Sequence, residues 1–286
     1  MSSKFWRRLH LGLRTLLTDR PKGYFIPYRY ADGDVPAADR KSYASVERLM
    51  DRKKENFAGI MDELSLWKSA FEKFDGAEPP MPRWQQTWFP ALDGALAYHM
   101  VQAEKPTKIV EIGSGHSSRF MMRAIQDGNL QTSFHAIDPA PRADITKLEN
   151  INLYPTTVQY ADQSVFKDLT AGDILFIDSS HILMPGNDVD LLFNHIIPAL
   201  PSGVILHIHD MSLPDDYPDV WQWRGYNEQL GVIPMLTSGG FDLLWSSHYV
   251  ASRMQADIPD WFTNLTQLPE GALQTSLWLR KTCPAI

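Results

Sequence analysis

Lys108 to Ser118, K-I-V-E-I-G-S-G-H-S-S, constrains the fold more than any other stretch of this chain. Ile109, Val110 and Ile112 form the apolar run of a buried parallel strand. Glu111 and two glycines close it. Gly113 and Gly115 lack a Cβ, so the backbone can turn sharply and a ligand can come close. Phe120, Met121, Met122, Ala124 and Ile125 then recur at helical spacing. Strand, glycine turn and helix in this order open a nucleotide-type binding fold, with the ligand at the turn.

From Lys108 onward strands and helices alternate, which predicts an α/β domain. A second strand is expected over Ser133 to Pro139, ending in Asp138, and a third over Thr156 to Asp162, ending in Asp162. The fourth spans Asp173 to Ser179 and ends in Asp178; the fifth spans Val204 to Asp210 and ends in His209 and Asp210. Helices are expected over Val189 to Leu200 and Tyr226 to Leu236, and two last strands over Phe241 to Val250 and Leu273 to Lys281. Ligands of open α/β sheets sit beyond the carboxyl ends of the strands, so these acids, with Glu111, crowd one edge. A carboxylate after a strand is also a common turn or N-cap residue. For each acid alone both readings stand; the set favours a site.

Residues 1–104 read differently. Pro21, Gly23, Pro27, Gly33 and Pro36 punctuate an irregular segment, and Ser42 to Phe74 reads as one long helix. Its apolar stripe runs from Val46 to Phe74, and Gly76 with Pro79 and Pro80 stops it. A core face is the first reading of that stripe and a homodimer face the second. Trp84, Trp88 and Phe89, crowded between Pro82 and Pro90, either line a substrate pocket or clamp the N-terminal segment to the core. The first stretch, S-K-F-W-R-R-L-H-L-G-L-R-T-L-L, is basic and amphipathic, and Arg14 interrupts what would be a signal-peptide core. Packing on its own domain is the first expectation, contact with a membrane surface or a partner the alternative.

No apolar run is long enough to span a bilayer. A net charge of −7 speaks against a sequence-independent nucleic-acid binder. Cys283, the single cysteine, has no internal disulfide partner, which fits a reducing, cytoplasmic setting.

A dinucleotide fingerprint would place a third glycine where Ser118 stands. The pattern E-x-G-x-G (Glu111, Gly113, Gly115), followed by a strand ending in an acid, instead resembles the S-adenosylmethionine-dependent class I methyltransferases. The resemblance spans roughly residues 84–281, with detail in E-I-G-S-G-H-S-S-R-F, A-I-D-P, D-I-L-F-I-D-S-S-H and G-V-I-L-H-I-H-D. It is nearest the bacterial branch of small-molecule O-methyltransferases. It implies a Rossmann-like, mostly parallel seven-stranded sheet with an antiparallel C-terminal strand over residues 105–286. A helical N-terminal lobe over 1–104 would cover the substrate side. It further implies that Gly113, Ser114 and Gly115 hold the methionine part of S-adenosylmethionine, with Glu111 ordering the loop or binding the ammonium group. Ser117 would hold the cofactor carboxylate, Asp138 both ribose hydroxyls, and Asp162 and Gln163 would lie beside the adenine.

Methyl transfer is an in-line displacement at a carbon activated by a sulfonium. The protein aligns the nucleophile, excludes water and takes up a proton. In the strand order that the resemblance implies, strands four and five are neighbours, so Asp178 and His181 come near His209 and Asp210. His207 reads as a buried, hydrogen-bonded histidine. Two roles compete for the cluster. In one, His209 or His181 is a general base. In the other, Asp178, His209 and Asp210 bind a divalent metal that acidifies a substrate hydroxyl. Metal-dependent catechol-type methyltransferases carry an Asp after strand four and an Asp-Asn pair after strand five. Here His209-Asp210 stands in place of the pair, a poorer set for magnesium. The loop M-S-L-P-D-D-Y-P-D-V-W-Q-W-R-G that follows is a candidate lid. Trp221, Trp223 and Tyr226 could stack there on a ring, while Asp215, Asp216 and Asp219 keep the loop solvated. The expected function is methyl transfer from S-adenosylmethionine to an oxygen, less readily a nitrogen, of a small molecule. The rivals are an NAD-dependent oxidoreductase on a related sheet and a non-catalytic cofactor-binding protein.

Overall fold

The computed structural model describes every residue except 1–2, 37–38, 75–77, 142–144, 146–147 and 149. At its centre are seven strands: β1 (Lys108–Ile112), β2 (Ser133–Ile137), β3 (Ile151–Tyr154), β4 (Ile174–Ile177), β5 (Ile205–Ile208), β6 (Phe241–Ser246) and β7 (Leu277–Lys281). They lie in the order β3-β2-β1-β4-β5-β7-β6. β1 to β5 pair in parallel, and β7 runs antiparallel to both β5 and β6. Every position of β4 and β5 is buried, as expected of strands covered on both faces. The order reverses between β1 and β4. That is the switch point where an open α/β sheet leaves a crevice at its carboxyl edge.

The helices are α1 (Ser3–Leu17), α2 (Ala44–Asp51), α3 (Lys54–Glu63), α4 (Lys68–Phe71), α5 (Ala91–Glu104), α6 (His116–Asp127) and α7 (Ser164–Lys167). Then come α8 (Asp188–Leu191), which a π-helical stretch continues into α9 (Ile197–Ala199), and α10 (Glu228–Thr237), α11 (Ser247–Arg253) and α12 (Asp260–Thr266).

Two expected elements are corrected. The third strand is Ile151–Tyr154, not Thr156 to Asp162. Pro155 has no N–H to continue the ladder with β2, and the chain turns at once, Thr156 N donating to the Tyr154 carbonyl. The long helix expected over Ser42 to Phe74 is broken at Arg52-Lys53 and again at Leu64–Trp67. The breaks let each short piece turn its apolar side onto a curved core. Phe57 meets Trp245 and Tyr249 edge-on, and Phe71 and Phe74 meet Trp84 and Tyr98. Gly76, expected to stop that helix, lies outside the described residues.

Val46, Met50, Phe57, Met61, Leu64, Phe71 and Phe74 are all buried in one core shared with the sheet. That is the core-face reading of the stripe. The aromatic cluster divides its labour. Trp84 and Phe89 are buried, Trp84 donating its indole N–H to the Phe71 carbonyl, while Trp88 is exposed at the crevice. Of residues 1–104, only Tyr24, Thr87 and Trp88 line that crevice among the described residues.

Candidate active site

A cleft of about 610 Å³ opens at the carboxyl edge of β1, β2, β4 and β5. One half is walled by Gly113, Ser114, Ile137, Asp138 and the turn Thr157–Gln159. The other half is walled by Thr87, Trp88, Asp178, His181, His209, Asp210, Arg224 and Tyr226.

The first half is built around Gly113. Its φ is +79°, and its N–H donates to the Ile137 carbonyl while Asp178 N donates to Ile112. β2 and β4 therefore grip the turn from both sides. A Cβ on Gly113 would lie 2.0 Å from the Asp178 carbonyl oxygen, so no side chain fits there. Asp138 holds the next residue: its Oδ2 accepts from Ser114 N at 2.7 Å and Ser114 Oγ at 3.1 Å, and its Oδ1 accepts from Ala140 N at 2.7 Å. One lone pair of Oδ1 stays uncommitted by these bonds.

The structure places the other expected cofactor residues behind the wall. Glu111 is fully buried, its two oxygens 2.5 Å from the hydroxyls of Ser117 and Ser118. Ser118 Oγ also accepts from Gly115 N at the start of α6. Glu111, Gly115 and Ser117 thus tie the turn to α6 and do not line the cleft. Asp162 is exposed and accepts from Ser164 N, and Gln163 donates to the carbonyls of Val158 and Ala161. Neither lies on the cleft wall; Thr157, Val158 and Gln159 do. The misplaced third strand hid those three residues.

Burial pushes the Glu111 carboxyl up to about 8, outweighing its serine bonds. A carboxyl whose folded pKa exceeds its unfolded one keeps a proton that the unfolded chain has lost. Its stabilisation is therefore complete below the unfolded value, near 4.5, and is lost as pH climbs to about 8. Glu111→Gln mimics the protonated form, so the variant's melting temperature should fall less steeply than wild type between these limits. Differential scanning fluorimetry across that range reads the two slopes, and parallel slopes would contradict a proton on Glu111.

The second half is organised around His181, which adopts a φ of +61° and is fully buried. Its Nδ1 lies 2.8 Å from Glu228 Oε2, and its Nε2 lies 3.2 Å from Asp178 Oδ1 and 3.4 Å from Asp210 Oδ2. Burial works against its charge, but the bonds to Asp178 and Glu228 and the nearby Asp210 hold its pKa well above the usual histidine range. With its pKa raised, His181 has both ring nitrogens directed at carboxyl groups, and burial raises the pKa of the Glu228 carboxyl as well. His209 donates Nε2–H to the Trp88 carbonyl at 3.1 Å, with Asp210 Oδ1 3.7 Å away. Its burial is likewise outweighed, here by Asp178, Asp210 and the buried Asp93, and its pKa is raised. His207 is a core residue, stacked on Phe176 at 3.6 Å and bonded to Ser276. Burial, with His209 nearby, holds its pKa well below the usual range.

This arrangement does not fit the metal triad expected from Asp178, His209 and Asp210. The position between the two carboxylates is filled by His181 Nε2, and His209 turns its Nε2 to a backbone carbonyl. Among the described residues no set of three His, Cys, Asp or Glu side chains is arranged to hold a metal ion. An organic cation links the acids instead.

The candidate lid is pinned. Asp215 pairs with Arg253 at 2.6 Å and His248 at 2.8 Å, and Asp216 pairs with Arg40 at 2.5 Å. These acids were expected to be solvated; two of the three are tied to the scaffold. The rings expected to stack on a ligand hold Arg224, whose guanidinium lies 4.5 Å from the Trp221 ring centre and 5.2 Å from that of Tyr226. Arg224 also reaches Asp210 at 3.4 Å, joining the lid to the cluster. Arg224 and Glu228 escape a reading of the sequence. Each resembles an ordinary surface residue until the fold brings it to the cluster.

Residues 110–211 match the family profile described as a methyltransferase domain. No curated protein matches the chain. Among solved structures, the chain is similar to CmcI with SAH at 14% identity, covering 93% of this chain and 96% of that one, with a TM-score of 0.40. It is also similar to the SAH-bound methyltransferase PaMTH1 of Podospora anserina, at 14% identity over 91% of this chain and 100% of that one, with a TM-score of 0.41. The plantazolicin methyltransferase BpumL, in complex with a pentazolic desmethylPZN analogue and SAH, gives 14% identity over 84% and 100%, with a TM-score of 0.44.

Proposed function

We propose that this chain, whose residues 110–211 are a methyltransferase domain, moves the methyl group of S-adenosylmethionine to an oxygen, less readily a nitrogen, of a small molecule in the cytoplasm. The observation that carries this reading is one continuous cleft at the switch point, with a glycine turn at one end and a charged, proton-handling cluster at the other. Ser114 and the turn at Gly113 would receive the methionine part. Asp138 Oδ1 has room for one ribose hydroxyl, and Thr157 to Gln159 wall the place of the adenine. No observation in the cleft favours a nicotinamide over this cofactor, and Ser118 stands where a dinucleotide turn needs its third glycine.

The sulfonium of the bound cofactor supplies the activated methyl carbon. The chain supplies alignment and a proton acceptor. Neither histidine offers a lone pair to the cleft: His181 is doubly committed, while His209 gives its Nε2–H to Trp88 and keeps its Nδ1 buried away from the cleft surface. Asp178 lines the cleft with its side chain 36% exposed, and His181 holds it in place. In this reading Asp178 would take the acceptor's hydroxyl proton as the acceptor oxygen bonds to the methyl carbon and the carbon–sulfur bond breaks, releasing S-adenosylhomocysteine. His209 fixes the Trp88 carbonyl beside the acceptor. With an acceptor found by screening phenols and hydroxy acids, Asp178→Asn is expected to lower kcat by about 10²–10⁴ while S-adenosylhomocysteine binds as before. His209→Ala should cost much less. The reverse ranking, or full turnover by Asp178→Asn, would move the base elsewhere.

A further inference from the structure

Helix α1 carries its apolar side away from the rest of the protein. Phe5, Trp6, Leu9, Leu13, Leu16 and Leu17 fall on one stripe of a 3.6-residue helix, and all are exposed, Trp6 by 58% and Leu17 by 76%. Leu11 and Thr15, on another side of the helix, are the part-buried positions. They line a groove with Lys22–Phe25 and the loop at Gln222–Gly225, and Arg7, Arg8 and Leu16 stand at its rim with part of each side chain exposed outward. The expectation that this helix packs its apolar face on its own domain is therefore not met.

Charge says what the stripe faces. Residues 1–30 hold seven Lys and Arg and one acid, Asp19, in a chain of net charge −7. The segment carries +6 and the remainder −13. Within α1 there is no acid, and Arg7 and Arg14 flank one edge of the stripe while Arg8 flanks the other. That is the arrangement of an interfacial helix, whose long cationic side chains reach outward to phosphates while the apolar side sinks. A second copy of the chain matches poorly. Pairing of two such helices along the stripe would bring the Arg7, Arg8 and Arg14 of one copy beside those of the other. Exposed large apolar side chains beyond residue 35, such as Leu66, Tyr160, Leu230 and Leu268, come one at a time from separate elements. At 15 residues the helix is too short to cross a bilayer, and no described helix is long and apolar enough to do so.

We propose that α1 lies in the surface of an anionic lipid bilayer, with Phe5 to Leu17 at the acyl boundary and Arg7, Arg8 and Arg14 among the headgroup phosphates. Tyr24 lines both the groove beside α1 and the active cleft, so the bound helix sets the cleft mouth next to the membrane. The test is co-sedimentation of the full chain with vesicles of phosphatidylcholine alone or with roughly one-third phosphatidylglycerol. Partition is expected to be at least about tenfold stronger on the anionic vesicles and to weaken as salt is raised to about 0.5 M. The exposed pair Leu9→Asp/Leu13→Asp should abolish it without lowering the melting temperature, and Arg7→Glu/Arg8→Glu should remove the preference for anionic lipid. Background partition on both vesicle types would overturn the proposal. So would a dimer in sedimentation that Leu9→Asp/Leu13→Asp dissociates while vesicles stay unbound.

Discussion

Gly113→Ala is expected to destabilise this protein by more than about 4 kcal/mol and to remove cofactor binding, while Gly172→Ala costs only about 1–2 kcal/mol. Both glycines have positive φ, +79° and +90°, so the strain of a left-handed alanine is common to them. They differ in what a Cβ would meet. At Gly172 it meets nothing within 4 Å; at Gly113 it meets the Asp178 carbonyl oxygen at 2.0 Å. That oxygen cannot retreat cheaply, because Asp178 N is bonded to Ile112 at 2.8 Å and Gly113 N to Ile137 at 3.0 Å. Relief requires β1 and β4 to part at the switch point, and the floor of the cleft goes with them. Denaturant unfolding of the two variants against wild type separates the terms. Equal losses would mean that only backbone strain matters at Gly113.

His181→Ala is expected to have the next largest effect, about 3–5 kcal/mol at neutral pH, because it removes one partner of a buried ionic cluster. Asp178, Asp210 and the fully buried Glu228 would then face one another without their shared cation. The pH dependence identifies the cause. A histidine with a raised pKa contributes fully below its unfolded value, near 6.5, and keeps contributing through neutral pH. The contribution fades only as pH rises through the higher folded pKa. The variant should also recover stability relative to wild type when Glu228→Gln is added, since the stranded carboxylate is then neutral. A double variant no better than His181→Ala alone would show that the loss comes from packing rather than charge.

Much of the sheet was legible because its central strands are short apolar runs closed by glycine or an acid, as in K-I-V-E-I-G and D-I-L-F-I-D. β3 was not. As an edge strand paired only to β2, Ile151–Tyr154 is half exposed and has no apolar run. The alternating T-T-V-Q-Y-A-D beside it imitates a strand while forming the turn at the cleft. Asp138, Asp178 and Asp210, acids after strands, line the cleft with His209 beside them, as the pattern and the strand order of the resemblance implied, whereas Asp162 from the same pattern does not. The roles within the cluster were not readable, because they depend on Glu228, 47 residues from His181, and on Arg224 folded back by its aromatic neighbours. Glu111 was legible as part of the turn, but its burial and its serine partners belong to the third dimension.

The central claim is that the cleft at Gly113 and Ser114 binds S-adenosylmethionine, and isothermal titration of the full chain with S-adenosylhomocysteine tests it most directly. The account predicts saturable binding at one site per chain, no heat with NAD, and affinity weakened at least about tenfold by Asp138→Ala, since each lost hydrogen bond to an ionised group is worth about 1.5–3 kcal/mol. Silence with S-adenosylhomocysteine on folded protein, or saturable heat with NAD instead, would contradict it.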